Sequence, residues 1–272
     1  MKTIERVTLS LLLLTAFINL EVAYAQKQPS VQEVGVRAPA NIKIDGKLDE
    51  WPNKLLSAYN STSRIYYTIA NDDENLYLVV RGFGQRVSRK ALEGGLTFTI
   101  SHSTGKKERE KAPDNVSISF PVPQGEKIRF DLLAQQRELP PLMKDTVANR
   151  RQIDSLIKVA NAVLTARLKE IRVAGIKEIE DTSISVYNTQ GIKAKMQFIL
   201  MQPVVEIAIP LKYLGLSTTK PVKFSYNIKL SVPPPPPGFV AGAIADDPPT
   251  ADEAYLENTT DFWGEYILAP KP

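Results

Sequence analysis

His102 is the only histidine of the chain and cysteine is absent. Carboxylates, hydroxyls and aromatic rings are left as the groups able to do chemistry. A Ser-His-acid triad needs the imidazole beside a nucleophile and an orienting acid. His102 stands instead in the turn Ser101-His102-Ser103-Thr104-Gly105, and the chain has no Gly-x-Ser-x-Gly elbow. Glycoside hydrolysis requires two carboxyl groups facing each other about 5 to 9.5 Å apart. Asp45, Asp49, Glu50 and Glu206 are available, but their spacing gives no reason to pair them. Glu206 lies between Val205 and Ile207 and faces away from both, which predicts an exposed or salt-bridged carboxylate. A zinc site lacks its histidine pair or thiolates. Asp72-Asp73-Glu74-Asn75 offers hard oxygens, yet lacks the glycine and distal glutamate of an EF-hand loop. No Gly-rich phosphate loop is present. The expectation is a noncatalytic chain with neither cofactor nor metal ligands.

The elements that must position these groups read as strands. From Ile42 onward apolar residues recur at every second position, the mark of extended chain with one buried face. Ile65-Tyr67-Ile69, Leu76-Leu78-Val80, Leu96-Phe98-Ile100, Val116-Ile118-Phe120 and Ile128-Phe130-Leu132 follow this rule. So do Ile192-Ala194-Met196-Phe198, Val205-Ile207-Ile209, Phe224-Tyr226-Ile228 and Phe262-Tyr266-Leu268. Turn clusters such as Asn71 to Asn75, Asn188 to Gly191 and Ser101 to Gly105 separate them. Many short strands with polar outer faces predict a mainly β chain. Its expected form is a two-sheet antiparallel β-sandwich of jelly-roll or immunoglobulin-like type. Trp51 is expected to plug one end of it.

Two segments depart from this rhythm. Between about Lys144 and Val173, Ile153, Leu156, Ile157, Ala160, Val163, Leu164, Leu168 and Ile171 follow the spacing of an amphipathic helix. Its polar side carries Arg150, Arg151, Lys158, Arg167, Lys169 and Arg172. The apolar stripe is expected to cover part of a sheet while the basic side faces water; the sharper alternative is a surface for an acidic partner or lipid head groups. A Pro-rich loop spans about residues 232–260, with five consecutive prolines from Pro233 to Pro237. It predicts a rigid strut, or alternatively a segment read by an aromatic-lined groove of a partner.

Lys2 and Arg6, the apolar run Val7 to Leu20 and the small residues of Ala23-Tyr24-Ala25 have the form of a signal peptide over residues 1–25. Export to the periplasm, the outer-membrane surface or the medium is expected, with residues 26–272 as a single domain and no transmembrane anchor after cleavage. An absent cysteine rules out disulfides and a lipid-anchored lipoprotein. The net charge of +4 is spread along the chain rather than gathered into a tract, so it gives no argument for nucleic acid.

The string Ile42-Lys43-Ile44-Asp45-Gly46-Lys47-Leu48-Asp49-Glu50-Trp51-Pro52 resembles the opening of family 9 carbohydrate-binding modules and their DOMON-like relatives. Ala70 to Val80 is similar to that family's second hairpin, and Val204 to Gly215 to its late strand and helical turn. Val222 to Leu230 and Phe262 to Leu268 are similar to its last two strands. In that family two tryptophans sandwich a sugar, because the C–H faces of a pyranose pack on aromatic planes. The resemblance therefore implies a β-sandwich with an insertion at about residues 135–180, and a polysaccharide or oligosaccharide ligand. Near the family's stacking positions this chain has Leu92 to Thr99 and Tyr255. The residues expected to touch ligand are Tyr255, Glu257, Trp263, Arg81 and Asn115. The function so implied is a noncatalytic carbohydrate-binding protein of the bacterial cell envelope. The alternative is an envelope interaction protein with the same sandwich, its partner held by the basic helix or the Pro-rich loop. Trp51 is expected in the core, and Trp263 either exposed or covered beneath the helix.

Overall fold

A computed structural model describes residues 28–32, 34–51, 57–123, 146–234 and 250–271. The expected signal peptide, the strand Ile128-Phe130-Leu132 and most of the Pro-rich loop lie outside the described residues. The chain runs β1 (Ala58–Asn60), β2 (Ile65–Asn71), β3 (Asn75–Gly82), α1 (Gln85–Arg89) and a π-helical turn (Lys90–Gly94). It continues through β4 (Leu96–Ser101), α2 (Glu108–Lys111), β5 (Val116–Ser119), α3 (Thr146–Arg167), β6 (Glu170–Ala174) and β7 (Ser183–Ser185). Then follow β8 (Lys193–Ile199), β9 (Gln202–Pro210), a 3₁₀ turn (Leu211–Leu214), β10 (Lys223–Leu230), α4 (Ala251–Glu257) and β11 (Thr260–Ile267).

The strands form two antiparallel sheets, one of five strands in the order β1-β2-β3-β9-β8 and one of six in the order β11-β10-β4-β5-β6-β7. The chain is thus mainly β, a two-sheet sandwich. Alternation sets which side chains meet between the layers. Ile65, Tyr67, Ile69, Leu76, Leu78, Val205 and Ile207 point inward from one sheet, and Phe98, Ile100, Ile118, Phe224, Tyr226 and Ile228 from the other. Each such side chain contributes about 1.5–3 kcal/mol by leaving water. The register is closed by paired phenols: Tyr67 and Tyr226 share a hydrogen bond of 2.9 Å across the core. Gly264, opposite Tyr226, has no side chain because a Cβ there would strike the Tyr226 ring.

The five-stranded sheet departs from the expected polar outer face. Ala70, Tyr77, Val79, Val204 and Ala208 on that side are buried beneath Leu48 and Trp51, with Ile42 and Ile44 packed alongside. Trp51 is 4% exposed. It therefore covers the sheet from outside rather than plugging an end of the sandwich. Glu206 of β9 explains how. The carboxylate is fully buried, not exposed or salt-bridged as its strand position suggested. Oε2 accepts the backbone N–H groups of Asp45 (3.0 Å) and Gly46 (2.7 Å), and Oε1 accepts the Trp51 indole N–H (3.1 Å). Burial outweighs these donors and pushes the carboxyl up to about 7.

The helical rhythm also ends earlier than expected. Helix α3 stops at Arg167, and Leu168 and Ile171 join the core ahead of and within strand β6. Leu164, Leu168 and Ile171 keep the helical i, i+4, i+7 spacing, while Ile171 and Val173 already alternate as a strand. Ile171 thus satisfies both patterns, and periodicity alone does not place the boundary. Part of the segment expected as an insertion, Glu170–Ala174, is an internal strand of the six-stranded sheet, paired with β5 and β7. The helix packs beside β8, with Leu164 buried in the main core and Arg150, Arg151 and Lys158 exposed. Asn161 seals that sheet edge: its Oδ1 accepts the Phe198 N–H (2.7 Å) and its Nδ2 donates to the Phe198 carbonyl (3.0 Å). Gln32 does the same at Ile69 of β2, with bonds of 2.8 and 2.7 Å. Each amide supplies one donor and one acceptor, as a neighbouring strand would.

Candidate functional site

Among the described residues the outer face of the six-stranded sheet is polar, with Thr97, Thr99, Ser117 and Ser119 partly exposed and Ser101 and Ser225 at one end buried. Antiparallel pairing brings β4 and β5 together with Thr97 opposite Ser119 and Thr99 opposite Ser117. Both pairs are hydrogen-bonded hydroxyl to hydroxyl at 2.8 Å. On one side β10 places Lys229 beside Thr97 and Asn227 beside Thr99. On the other, β6 places Arg172 beside Ser119. These four strands therefore carry a cross-strand row, Lys229, Thr97, Ser119, Arg172. The row forms the floor of a groove of about 590 Å³, walled by Pro121, Pro123, Pro234 and the Gly94-Gly95 turn.

The turn can come this close because of its glycines. A Cβ on Gly94 would strike the Ser231 carbonyl, and Gly95 has a φ of 84° and would meet the Pro121 carbonyl. Glu93 precedes them, and its carboxylate accepts from Arg89 Nε at 3.0 Å. At the far edge β11 sets Trp263 beside Asn227 and Asp261 beside Lys229. Trp263 is half-buried, and the Arg109 guanidinium carbon lies 5.0 Å from its ring centroid. Asp261 accepts a hydrogen bond from Asn227 Nδ2 (2.8 Å).

The five residues expected at a site divide between places. Trp263 and Asn115 belong to one neighbourhood, since Asn115 Nδ2 donates to the Arg109 carbonyl (2.8 Å) and so holds the residue above the indole. Arg81 is on the other sheet, its Nε donating to Gln202 Oε1 (2.6 Å) and its guanidinium 5.5 Å from the Phe83 ring. Tyr255 is 7% exposed in α4, with Arg64 at 4.5 Å and Lys90 at 4.1 Å from its ring. Its hydroxyl donates to the Ser63 carbonyl (3.0 Å). With the ring enclosed, Tyr255 offers no open plane for stacking. Glu257 ends the same short helix, exposed. Trp263 is half-buried on an outer sheet face, whereas α3 lies against β8 of the other sheet.

Lys90 is the other buried ion. It is fully buried, and its ammonium donates to the carbonyls of Tyr255 (2.8 Å) and Asn258 and to Thr260 Oγ1 (3.2 Å). Burial lowers it to about 8. All three partners belong to α4 and its junction with β11, so Lys90 fastens that helix to the π-helical turn.

No protein-family model matches the chain, and no curated protein does. Among solved structures it is similar to a carbohydrate binding module family 9 (CBM9) from Caldicellulosiruptor kristjanssonii in complex with glucose. Identity is 10%, the match covers 88% of this chain and 96% of that chain, and the TM-score is 0.36.

Sequence reasoning missed Thr97, Thr99, Ser117, Ser119, Asn227, Lys229 and Arg109, and it named Arg172 only as part of the basic side of a helix, whereas it lies in strand β6. Alternation had already turned most of them outward; what it lacked was the strand order that sets them side by side. A larger hollow of about 1030 Å³ lies on the five-stranded sheet, lined by Ile42, Tyr77, Pro210, Leu216, Lys193 and Lys212 among others. Its Tyr77 hydroxyl is committed to Asp72 Oδ2 (2.5 Å), and its hydroxyls come from the 217–219 loop rather than from paired strands. Among the described residues no group of three or more His, Cys, Asp or Glu could hold a metal ion, and no helix is long and apolar enough to cross a membrane.

Proposed function

We propose that this chain is a noncatalytic saccharide-binding protein of the cell envelope, exported by its N-terminal segment, with the outer face of the six-stranded sheet as its site. The observation that carries the reading is the floor of paired hydroxyls, Thr97–Ser119 and Thr99–Ser117, fixed by strand register inside an open groove. A hydroxyl has one donor and two acceptor lone pairs. Each bonded pair therefore keeps spare capacity toward the groove, which matches the mixed donor and acceptor character of sugar hydroxyls. Proline rings along the wall offer C–H surface for the apolar side of a pyranose, while Trp263 at the sheet edge carries the Arg109 guanidinium over its ring. Binding sites of this kind are grooves with a few well-placed polar groups.

Isothermal titration of the purified protein with neutral oligosaccharides tests the reading. The pair Thr99→Val and Ser117→Ala removes floor hydroxyls while leaving the inner face untouched. Binding by the native protein, weakened about tenfold by this pair, is the expected result. Silence of the native protein across soluble and insoluble polysaccharides would count against it.

A further inference from the structure

We propose that the saccharide taken by this face is acidic, a chain bearing uronate carboxylates that are gripped by Arg172 and Lys229. The inference rests on the saccharide reading and adds the chemical class of the ligand.

Arg172 and Lys229 belong to one cross-strand row and flank its two central hydroxyls. Strands lie about 4.8 Å apart, so three steps set their Cα atoms on the order of 14 Å apart, a span that accommodates successive sugar rings along the floor. Both side chains line the groove, Arg172 exposed and Lys229 half-exposed. The ion pairs and side-chain hydrogen bonds among the described residues include neither of them.

Acids do lie nearby, Glu170 two residues from Arg172 on the same face of β6 among them, but among the described residues no ion pair joins any of them to Arg172 or Lys229. Glu93 is bound to Arg89, and Asp261, although opposite Lys229 in register, accepts from Asn227. Glu265, two same-face positions beyond Asp261 on β11, pairs with Lys223 at 3.1 Å. Arg109 adds a third cation above Trp263 at the same face. The groove thus presents positive charge over a neutral hydroxyl floor. Cations left without a carboxylate in a concave polar site favour an anionic ligand. The planar guanidinium of Arg172 matches a carboxylate through two parallel N–H bonds, and Lys229 contributes a compact point charge. A neutral sugar would use the hydroxyls and leave both cations without a partner.

The test compares an oligogalacturonate with its fully methyl-esterified form, which keeps the ring geometry and loses the charge. A neutral xylo-oligosaccharide and a sulfated glucan complete the panel. The acid is expected to bind about tenfold or more tightly than its ester, as charge-assisted hydrogen bonds imply. Raising the salt concentration should shrink the difference. The double variant Arg172→Gln and Lys229→Gln should abolish the preference, so that acid and ester bind with affinities within about twofold of each other. Equal binding of acid and ester overturns the acidic-ligand inference and leaves the saccharide reading standing. Binding of the sulfated glucan alone also overturns the uronate assignment. Absence of binding to all four probes overturns both. Unchanged thermal melting of the double variant ensures that any loss belongs to the groove.

Discussion

Arg109 rests 5.0 Å from the centroid of the Trp263 ring, and Asn115 fixes its backbone carbonyl. The loop between β4 and β5 is thereby tied to the opposite edge strand of the same sheet. Cation–π contacts at partly exposed sites contribute about 0.5–1 kcal/mol. Arg109→Ala should therefore cost little stability, about 1 kcal/mol or less, while shifting the Trp263 fluorescence emission. An unchanged emission spectrum would show that the guanidinium does not sit over this ring.

Glu206 and Trp51 give a second prediction. Glu206→Gln keeps the shape but turns one acceptor into a donor, so either the Trp51 indole or the Asp45–Gly46 amides lose their partner. A buried unsatisfied group costs about 1–3 kcal/mol. Urea unfolding should show a loss of that size with an unchanged m-value. A variant as stable as the native protein would remove the carboxylate as the fastening point of the N-terminal segment.

The same group predicts a pH dependence. Its folded carboxyl is raised to about 7 from the ordinary value of 4.5. Between these values the folded state keeps a proton that the unfolded chain has released. The contribution of Glu206 is therefore fully present below about pH 4.5 and declines as pH rises through 7. The stability gap between native protein and Glu206→Gln should narrow over that interval. A gap that widens with pH would mean that the donors hold the carboxyl ionised instead.

Lys90 and Asn161 each fasten a helix to the sandwich. Lys90→Met keeps most of the bulk but leaves the Tyr255 and Asn258 carbonyls without the ammonium, at a cost of about 2–4 kcal/mol. Asn161→Ala strips both bonds from the Phe198 backbone at the edge of β8, costing about 1–3 kcal/mol. Hydrogen exchange should then accelerate at Phe198 while the β3–β9 pairing keeps its protection. Equal acceleration in both strands would mean that the amide supports the whole sheet rather than its edge.

Much of this architecture was legible because buried faces leave a period of two. Ile65-Tyr67-Ile69 and Leu96-Phe98-Ile100 read correctly as inward-facing strands. Tyr77 and Val79 were less transparent, since what covers their side of the sheet lies some thirty residues away, at Leu48 and Trp51. Glu206 looked like surface for the same reason. The candidate site was the least legible part. Thr97 and Ser119 are ordinary outward residues until β4 pairs with β5, and Arg172 reads as a helical residue until β6 joins that sheet. Tyr255 and Arg81 carried suitable chemistry, but packing placed one inside α4's anchorage and the other on the opposite sheet.

Hydrogen exchange of the native protein with and without a saturating oligosaccharide addresses the central claim most directly. Added protection should appear in Leu96–Ser101, Val116–Ser119 and Lys223–Leu230, the strands that build the hydroxyl floor. Protection confined to the Lys193 and Lys212 hollow of the five-stranded sheet, with β4 and β5 unchanged, would place the ligand on the wrong face for this account.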